Sequence, residues 1–331
     1  MKPQKNILLI RFKAIGDVVL TLPAVHAIRE NFPDAHIVFF TVTENAPLLQ
    51  GFLDVDEVVA LDRAALKNPL RAAPEFFRLL RNLRAGKFSL VVDFQGYGET
   101  AWLTRLTGAR ERWGTVYGRG REWAYTRGLP RDGNLHPADW NLFLLRECGL
   151  KTGEIKNKFH LPADALAVAK KVFAENKLDE AKPTLFVQPF TSSPHKNWPL
   201  EKYLAVARHW RARGAQIIFG GGPGDLAALA PARAENFLVV AGVPLLVTAG
   251  LMELSTLVLG GDTGMLHLAI AQGKRAAMLV SDLAPGRPIL FQHREWVIAA
   301  PDKCDLASIA VETVLAETGK VFNPPAGNVS C

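Results

Sequence analysis

The first half of the chain alternates short apolar runs with segments whose apolar residues recur at helical spacing. The runs lie at 6–12, 36–42, 56–61 and 88–94. Unbroken apolar runs of this length are typical of strands buried on both faces of a parallel sheet. The intervening segments, such as 63–87, have the period of amphipathic helices. The alternation predicts a parallel, doubly wound sheet.

The first predicted helix spans 17–32 and follows the first strand directly. Pro23 lies inside it, which predicts either a kink or a late helix start. Gly16 and Asp17 therefore stand at a strand–helix turn, where many proteins bind a phosphate with a helix N-terminus. In purely structural terms, Asp17 is expected to be the helix N-cap.

The second half repeats the same alternation. Strands are predicted at 184–190, 215–220 and 275–281, a helix at 200–213, and a strand, loop and helix over 256–273. A polar joint is expected within 151–183. The predicted domains are 1–165 and 166–331, and the last helix is expected either to complete the second domain or to pack back on the first. Two such domains facing a cleft would surround it with the carboxyl ends of their strands.

Composition narrows the class of protein. Of the 331 residues, 49% are hydrophobic and 21% charged, and no apolar run approaches the roughly 20 residues of a transmembrane helix. The N-terminus lacks the apolar region of a signal peptide. Cys148, Cys304 and Cys331 are scattered and form no zinc motif. These features predict a cytoplasmic protein without a structural metal.

The net charge is +7, and the basic excess belongs to the first half. It favours an anionic partner: nucleic acid, a membrane surface or a phosphorylated substrate. An apolar stripe beside arginines in 63–87 is typical of a helix on anionic lipid, and equally of a core-facing helix with a solvated face. The segment 102–131 combines seven arginines with five Trp and Tyr residues. It suits phosphate and sugar contacts, but contains no known RNA-binding module.

Two loops of the second half carry candidate ligand-binding residues. "GGDTGMLHLA" (260–269) would place Thr263 and Gly264 at a helix start, where backbone N–H groups suit a phosphate. Asp262 could simply be the N-cap, and a lone histidine such as His267 is more often packed than functional. "TSSPHKNWP" (191–199) offers hydroxyl groups and Lys196, which could neutralise a diphosphate, although a solvated loop lysine is the default interpretation.

The glycine-rich run "GGGPGD" (220–225) follows a predicted strand but fails the GxGxxG pattern in every register. A tight turn is therefore favoured over a dinucleotide site. Asp225 could still reach a ribose hydroxyl.

Taken together, these motifs resemble the family-nine glycosyltransferases, the lipopolysaccharide heptosyltransferases. "ILLIRFKAIGDVVLTLPAVHAIRENFPDAHIVF" is similar to the opening signature of that family, and "GGDTGMLHLAIAQG" to its C-terminal donor signature. Weaker similarities at 88–96, 195–199 and 304–315 follow in the expected order, so the resemblance covers nearly the whole chain.

The resemblance implies a GT-B fold, with two Rossmann-like domains around a cleft. It implies an inverting, metal-independent transfer of heptose, without a cofactor, from an ADP-heptose-type donor to an anionic lipid A–core acceptor. Asp17 matches the general base and Lys196 the lysine that stabilises the leaving diphosphate. The implied donor-binding residues are Thr191, Ser192, Asp225, Asp262, Thr263, Gly264 and His267. The candidate acceptor-binding residues are Gly16, Asp93, Gln95, Arg119 and Arg121.

The implied location is the cytoplasmic face of the inner membrane, as a peripheral protein that does not bind nucleic acid. One segment departs from the family pattern: where relatives continue with a Gly-Pro-Thr-Asp-Pro-like run, this chain has "VSDLAPGRP" at Val280–Pro288. The choice of nucleotide or sugar is therefore open. The alternatives are a GT-B enzyme acting on another nucleotide sugar, by transfer or epimerisation, a non-catalytic nucleotide- or glycan-binding protein, and an RNA-binding protein.

Overall fold

The computed structural model describes residues 5–67, 69–118, 120–303 and 305–322. The chain divides into two compact units, Met1–His160 and Leu161–Cys331. Each unit contains one six-stranded sheet in which every pairing is parallel.

The first sheet is built from the apolar runs of the N-terminal half. Its strands are β1 (Asn6–Ile10), β2 (His36–Val42), β3 (Glu57–Leu61), β4 (Leu90–Asp93), β5 (Glu111–Val116) and β6 (Arg127–Pro130). They lie in the order β3-β2-β1-β4-β5-β6, which is the strand order of a Rossmann fold. The central β1 is buried along Ile7–Ile10, as its unbroken apolar run predicts.

Helices connect these strands. They are α1 (Ile15–Val19), α2 (Leu22–Asn31), α3 (Arg63–Lys67), α4 (Pro69–Ala85), α5 (Gly98–Leu106) and α6 (Pro137–Glu147). The predicted helix over 17–32 is thus two helices, with Pro23 in the first turn of the second. This is the late start that proline favours, because its missing N–H costs nothing there.

The second unit repeats the design. Its strands are β7 (Thr184–Gln188), β8 (Gln216–Gly221), β9 (Leu238–Ala241), β10 (Leu257–Gly261), β11 (Ala276–Val280) and β12 (Val297–Ala299), and its helices are α7 (Ala163–Glu175), α8 (Leu200–Arg211), α9 (Ala230–Ala234), α10 (Leu245–Glu253), α11 (Gly264–Ala271) and α12 (Val311–Phe322). The order β12-β11-β10-β7-β8-β9 is again that of a Rossmann fold.

Two helices bear on the predicted domain limits. α7 packs against α10 so closely that a Cβ on Gly250 would lie 2.6 Å from the Ala169 side chain. The boundary predicted at 165/166 would fall inside α7. At the other end, α12 packs on α8 of its own unit, where the Trp210 indole donates to Thr318 Oγ1 at 2.9 Å. The expected packing of the last helix, α12, on the first unit stays a prediction.

Helix α4 corresponds to the predicted basic amphipathic helix. Leu79 and Leu83 are buried in the core of the first unit, whereas Phe77 is 67% exposed and Arg81 and Arg84 are exposed. The core-facing interpretation is therefore correct for one face of the helix. Within the described ranges, no helix is both long and apolar enough to cross a membrane.

Candidate functional site

Both sheets have a switch point, where the chain connections leave two adjacent strands in opposite directions. In the first unit these strands are β1 and β4, and in the second β7 and β10. The crevice beyond the carboxyl ends of such strands is where open α/β sheets bind ligands. The loops at 11–14 and 94–97 follow the first pair, and those at 189–199 and 262–263 follow the second.

Asp17 is held at the first switch point by a hydrogen bond and an ion pair to the same oxygen. Its Oδ2 accepts from the Ala14 backbone N–H at 2.9 Å and lies 2.8 Å from Arg11 Nη2. Oδ1 accepts no hydrogen bond from any residue that the structure describes. The side chain is 32% exposed, so Asp17 presents an anchored carboxylate with one oxygen available.

The prediction that Asp17 is the N-cap is wrong. The N-cap is Ala14, and Asp17 is the third residue of α1. Alanine has no side-chain acceptor, so Asp17 instead reaches back to the Ala14 N–H, as the acid of a capping box does. Gly16 is buried in the same turn. Its predicted acceptor contact stays a prediction.

Arg11, which sequence reasoning missed, joins the two loops of this site. Its Nη1 donates to the Phe94 carbonyl at 2.5 Å, while Nη2 holds Asp17. The side chain is only 11% exposed. Arg11 thus ties the loop after β4 to the Asp17 carboxylate. The only sequence signal was its place one residue after β1.

Asp93 and Gln95 are buried beneath this site and hold the loops after β1 and β4 through hydrogen bonds. Gln95 is 1% exposed, and its Oε1 accepts from the backbone N–H groups of Phe12 and Lys13 at 3.1 and 3.2 Å. Asp93 is fully buried and accepts from Gln95 N–H at 2.9 Å, while the Tyr125 hydroxyl donates to its Oδ2 at 2.8 Å. The structure places both side chains as supports of the loops, and their predicted contact with an acceptor stays a prediction.

Burial raises the pKa of Asp93, and hydrogen bonds from Gly96, Thr100, Tyr125 and Gln95 oppose that rise. Gly96 has φ +68°, and a Cβ there would lie 2.2 Å from the Thr115 carbonyl oxygen. Only glycine fits this position, so the loop after β4 is fixed by both backbone and side chains.

The surface around Asp17 is basic and aromatic. A pocket of the first unit is lined by Arg11, Asp17, Tyr117, Arg131 and Trp140, among others. Arg121, a predicted acceptor residue, donates to the Gly96 carbonyl at 3.3 Å. Arg119 lies outside the described residues. Charge and ring faces of this kind suit an anionic saccharide.

Lys196 and Asp262 meet at the second switch point. Lys196 follows β7, Asp262 follows β10, and Lys196 Nζ donates to Asp262 Oδ2 at 2.7 Å. Gly261 packs closely against the loop that carries Lys196, because a Cβ on Gly261 would lie 3.0 Å from the Lys196 carbonyl oxygen. The structure brings these two residues together, and their predicted roles toward a donor stay predictions.

His267 completes a triad of charged and polar groups. Its Nε2 lies 3.8 Å from Asp262 Oδ1, its side chain is 3% exposed, and its buried Nδ1 has no hydrogen-bond partner among the described residues. Burial alone would raise the pKa of Asp262, but the nearby His267 and the hydrogen-bonded ammonium of Lys196 outweigh it and lower that pKa. Asp262 is therefore an ionised group that orients both neighbours.

Thr263, rather than Asp262, is the N-cap of α11, and its Oγ1 accepts from the Met265 backbone N–H at 3.0 Å. The N-cap interpretation of Asp262 is wrong, which leaves its carboxylate for Lys196 and His267. Gly264 is the first residue of the helix. The N-terminus of α11 thus opens beside the Lys196–Asp262 pair, as anion binding requires.

The remaining predicted donor residues lie on the loops after β7 and β8. Thr191 Oγ1 donates to the Ser193 carbonyl at 2.8 Å, and Ser192 is exposed. Asp225 accepts from the Gly222 N–H at 2.7 Å through Oδ2. The glycine-rich run is a tight turn closed by Asp225, as the turn chemistry predicts.

A pocket in the second unit contains a residue that sequence reasoning missed. Lys196 and Asp262 line it together with Ser281, Arg287, Ile289 and Leu306. Arg287 belongs to the segment that departs from the family pattern. Within the described ranges, no group of three or more His, Cys, Asp or Glu residues is placed to hold a metal ion.

Comparisons with known proteins agree with this architecture. A family model described as glycosyltransferase family 9 (heptosyltransferase) matches residues 76–304. Lipopolysaccharide heptosyltransferase 3 of Escherichia coli is 26% identical over 215 residues, which cover 63% of this chain and 61% of that protein. The matched region thus spans less than two thirds of that relative's length.

Solved structures are similar over nearly the whole chain. A family 9 glycosyl transferase from Veillonella parvula has a TM-score of 0.85 at 21% identity and covers 97% of this chain and 98% of that one. E. coli heptosyltransferase WaaC with ADP-2-deoxy-2-fluoro heptose has a TM-score of 0.75 at 21% identity, covering 95% and 99%. The predicted fold class, GT-B with two Rossmann-like domains, is confirmed.

Proposed function

The chain belongs to glycosyltransferase family 9, the heptosyltransferases, and from that premise we propose that it transfers a heptose from an ADP-heptose-type donor to a lipopolysaccharide core or lipid A acceptor. The observation that carries the proposal is the pair of switch-point sites. One unit presents an anchored carboxylate, Asp17, beside a basic and aromatic pocket. The other presents Lys196 and Asp262 beside the N-terminus of α11.

Asp17 is proposed as the general base. Its Oδ1 would take the proton of an acceptor hydroxyl while the hydroxyl oxygen attacks the anomeric carbon of the donor. The bond to the diphosphate oxygen then breaks on the opposite face of that carbon, so the configuration inverts and ADP leaves. General-base catalysis of this kind typically contributes about 100- to 10,000-fold.

Lys196 is proposed to neutralise the departing diphosphate. Its ammonium lies 2.7 Å from Asp262, which fixes it at the mouth of the crevice before the donor binds. A preorganised cation stabilises charge that develops in the transition state without reorganising. We propose that it supplies the charge stabilisation that a divalent cation supplies in metal-dependent transferases. Turnover that survives excess EDTA would support this, and turnover abolished by EDTA and restored by Mg²⁺ or Mn²⁺ would refute it.

The donor nucleotide can be tested directly by binding. The ADP-sugar analogue bound to the similar E. coli enzyme supports adenine as the base of the donor nucleotide. In a thermal-shift screen against ADP, UDP and GDP, we expect ADP alone to raise the melting temperature at a given concentration, because a ligand stabilises only the state that binds it. A larger shift with UDP or GDP would indicate a transferase or epimerase acting on another nucleotide sugar.

A peripheral location on the cytoplasmic face of the inner membrane is also proposed. Its support is α4, where exposed Phe77 stands beside exposed Arg78, Arg81 and Arg84. An aromatic residue among cations is suited to an interface with anionic lipid. Flotation with vesicles containing anionic lipid should recover the protein, and recovery should fall when Phe77 and Arg81 are changed to Ser and Gln. Equal recovery with neutral vesicles would refute an electrostatic attraction between these arginines and anionic lipid.

A further inference from the structure

The segment that departs from the family pattern forms an ordered turn at the carboxyl end of β11. Asp282 Oδ1 accepts from the Ala284 backbone N–H at 2.9 Å, and the Arg287 N–H donates to the Ala284 carbonyl at 3.3 Å. β11 pairs with β10, so this turn lies beside the loop that carries Asp262. The departure therefore changes the residues that line the proposed donor crevice.

Asp282 and Arg287 form a two-point ion pair across this turn. Nε of Arg287 donates to Oδ1 of Asp282 at 3.0 Å and Nη2 to Oδ2 at 2.5 Å. The hydrogen bonds and charge of each partner raise the pKa of Arg287 and lower that of Asp282. The guanidinium is thus held in one orientation, and Nη1 has no hydrogen bond to any described residue.

The ion pair between Asp282 and Arg287 contributes little to the stability of the fold. The Arg287 side chain is 39% exposed, and exposed ion pairs typically contribute about 0–1 kcal/mol. Its position is more informative, because Arg287 lines the same pocket as Lys196 and Asp262. The pocket rim therefore holds two cations, each already paired with a carboxylate.

We propose that Arg287 is the second cation of the donor site and binds the diphosphate of the nucleotide sugar, and that Asp282 is the residue that positions its guanidinium. The inference rests on the proposed function and deepens it. A diphosphate carries more charge than one lysine can neutralise, and a guanidinium matches phosphate oxygens with parallel N–H donors. One N–H of Nη1 lies parallel to the second N–H of Nη2, and this pair can make the contact while Nε and the first N–H of Nη2 hold Asp282.

The test is calorimetry of ADP and AMP binding to four variants. Arg287→Ala should weaken ADP binding by about 10- to 100-fold, the range expected for losing a hydrogen-bonded charge, and AMP binding by less. Arg287→Lys should recover only part of the ADP affinity, because an ammonium cannot form the two-point contact. Asp282→Asn should give an intermediate loss, since the cation remains but is less well oriented. Arg213→Ala, an exposed arginine after α8, is the matched control and should bind ADP as the wild type does.

Turnover gives a second readout. Arg287→Ala should lower kcat as well as ADP affinity, because the charge on the leaving group grows during bond cleavage. Melting temperatures check that each variant is folded. If folded Arg287→Ala binds ADP as tightly as the wild type, the inference is wrong while the proposed function stands. If wild-type protein binds no ADP, both fail together.

Discussion

Replacing Asp17 with Asn separates the chemistry proposed for this residue from its structural role. The variant keeps an oxygen that can accept from the Ala14 N–H, now 2.9 Å from Oδ2, but it can no longer take a proton. It also loses the ion pair with Arg11. Because Arg11 keeps its bond to the Phe94 carbonyl and the carboxylate is 32% exposed, we expect a cost in unfolding free energy of about 1 kcal/mol.

The expected effect on catalysis is much larger. Loss of a general base lowers turnover by about 100- to 10,000-fold, which is about 3 to 5 kcal/mol of transition-state stabilisation. A domain with ordinary stability stays folded after losing about 1 kcal/mol. The two effects are therefore separable. ADP affinity should stay within about twofold, because the proposed diphosphate site lies on Lys196 and Arg287 of the other unit.

The assay measures ADP released per enzyme in the presence of acceptor, with ADP affinity by calorimetry and stability by urea titration. Asp34→Asn, a change at an exposed residue between α2 and β2, is the control and should leave all three unchanged. If Asp17→Asn retains more than about a tenth of wild-type turnover, Asp17 is not the base. If ADP affinity falls together with turnover, the division of roles between the two units is wrong.

Three further predictions concern a support of the Asp17 loop, the proposed donor site and a buried cysteine. Gln95→Leu should cost about 1–3 kcal/mol in unfolding free energy and lower kcat, because it leaves two backbone N–H groups near Asp17 without an acceptor. Gln95→Glu keeps an acceptor and should restore kcat. Equal kcat in the two variants would contradict this role. The lowered pKa of Asp262 means that its ionised form stabilises the fold above the unfolded pKa of about 3.9, and that this stabilisation is lost as the pH falls through the folded pKa. The difference in unfolding free energy between wild type and Asp262→Asn should therefore shrink below about pH 4, and a constant difference would refute it. Burial raises the pKa of Cys148 to about 12. In a variant whose other two cysteines are changed to serine, we therefore expect the native protein not to react with Ellman's reagent at pH 8. The unfolded variant should react.

The central strands were predictable from sequence, and several outer strands were not. β1, β4, β7 and β10 are covered on both faces, so their sequences are unbroken apolar runs. β5 begins with Glu111 and Arg112, β6 ends in Pro130, and β9 and β12 have four and three residues. Edge strands and short strands such as β6, β9 and β12 need less burial, which removes the apolar signal that identifies them. β5 lies inside its sheet, and the charged residues at its start interrupt its apolar run.

Local motifs identified Asp17 in the first proposed site and Lys196 and Asp262 in the second, but they missed one arginine in each. Asp17 and Lys196 stand in recognisable turns, whereas Arg11 and Arg287 become informative only when folding brings them to Asp17 and to the Lys196 pocket. The N-cap predictions for Asp17 and Asp262 were wrong for a related reason. Several side chains near a helix start can cap it, and the residue at which helical backbone angles begin decides which one does.

The most direct measurement of the central claim is transfer itself. Purified protein would be incubated with ADP-heptose and a panel of heptose-deficient lipopolysaccharide core saccharides, followed by mass spectrometry of the acceptor and NMR of the new anomeric centre. We expect one acceptor to gain a single heptose with inverted configuration and one ADP to be released per transfer. No transfer from ADP-heptose to any acceptor, together with glycosylation of one of them from a UDP- or GDP-sugar, would contradict the claim.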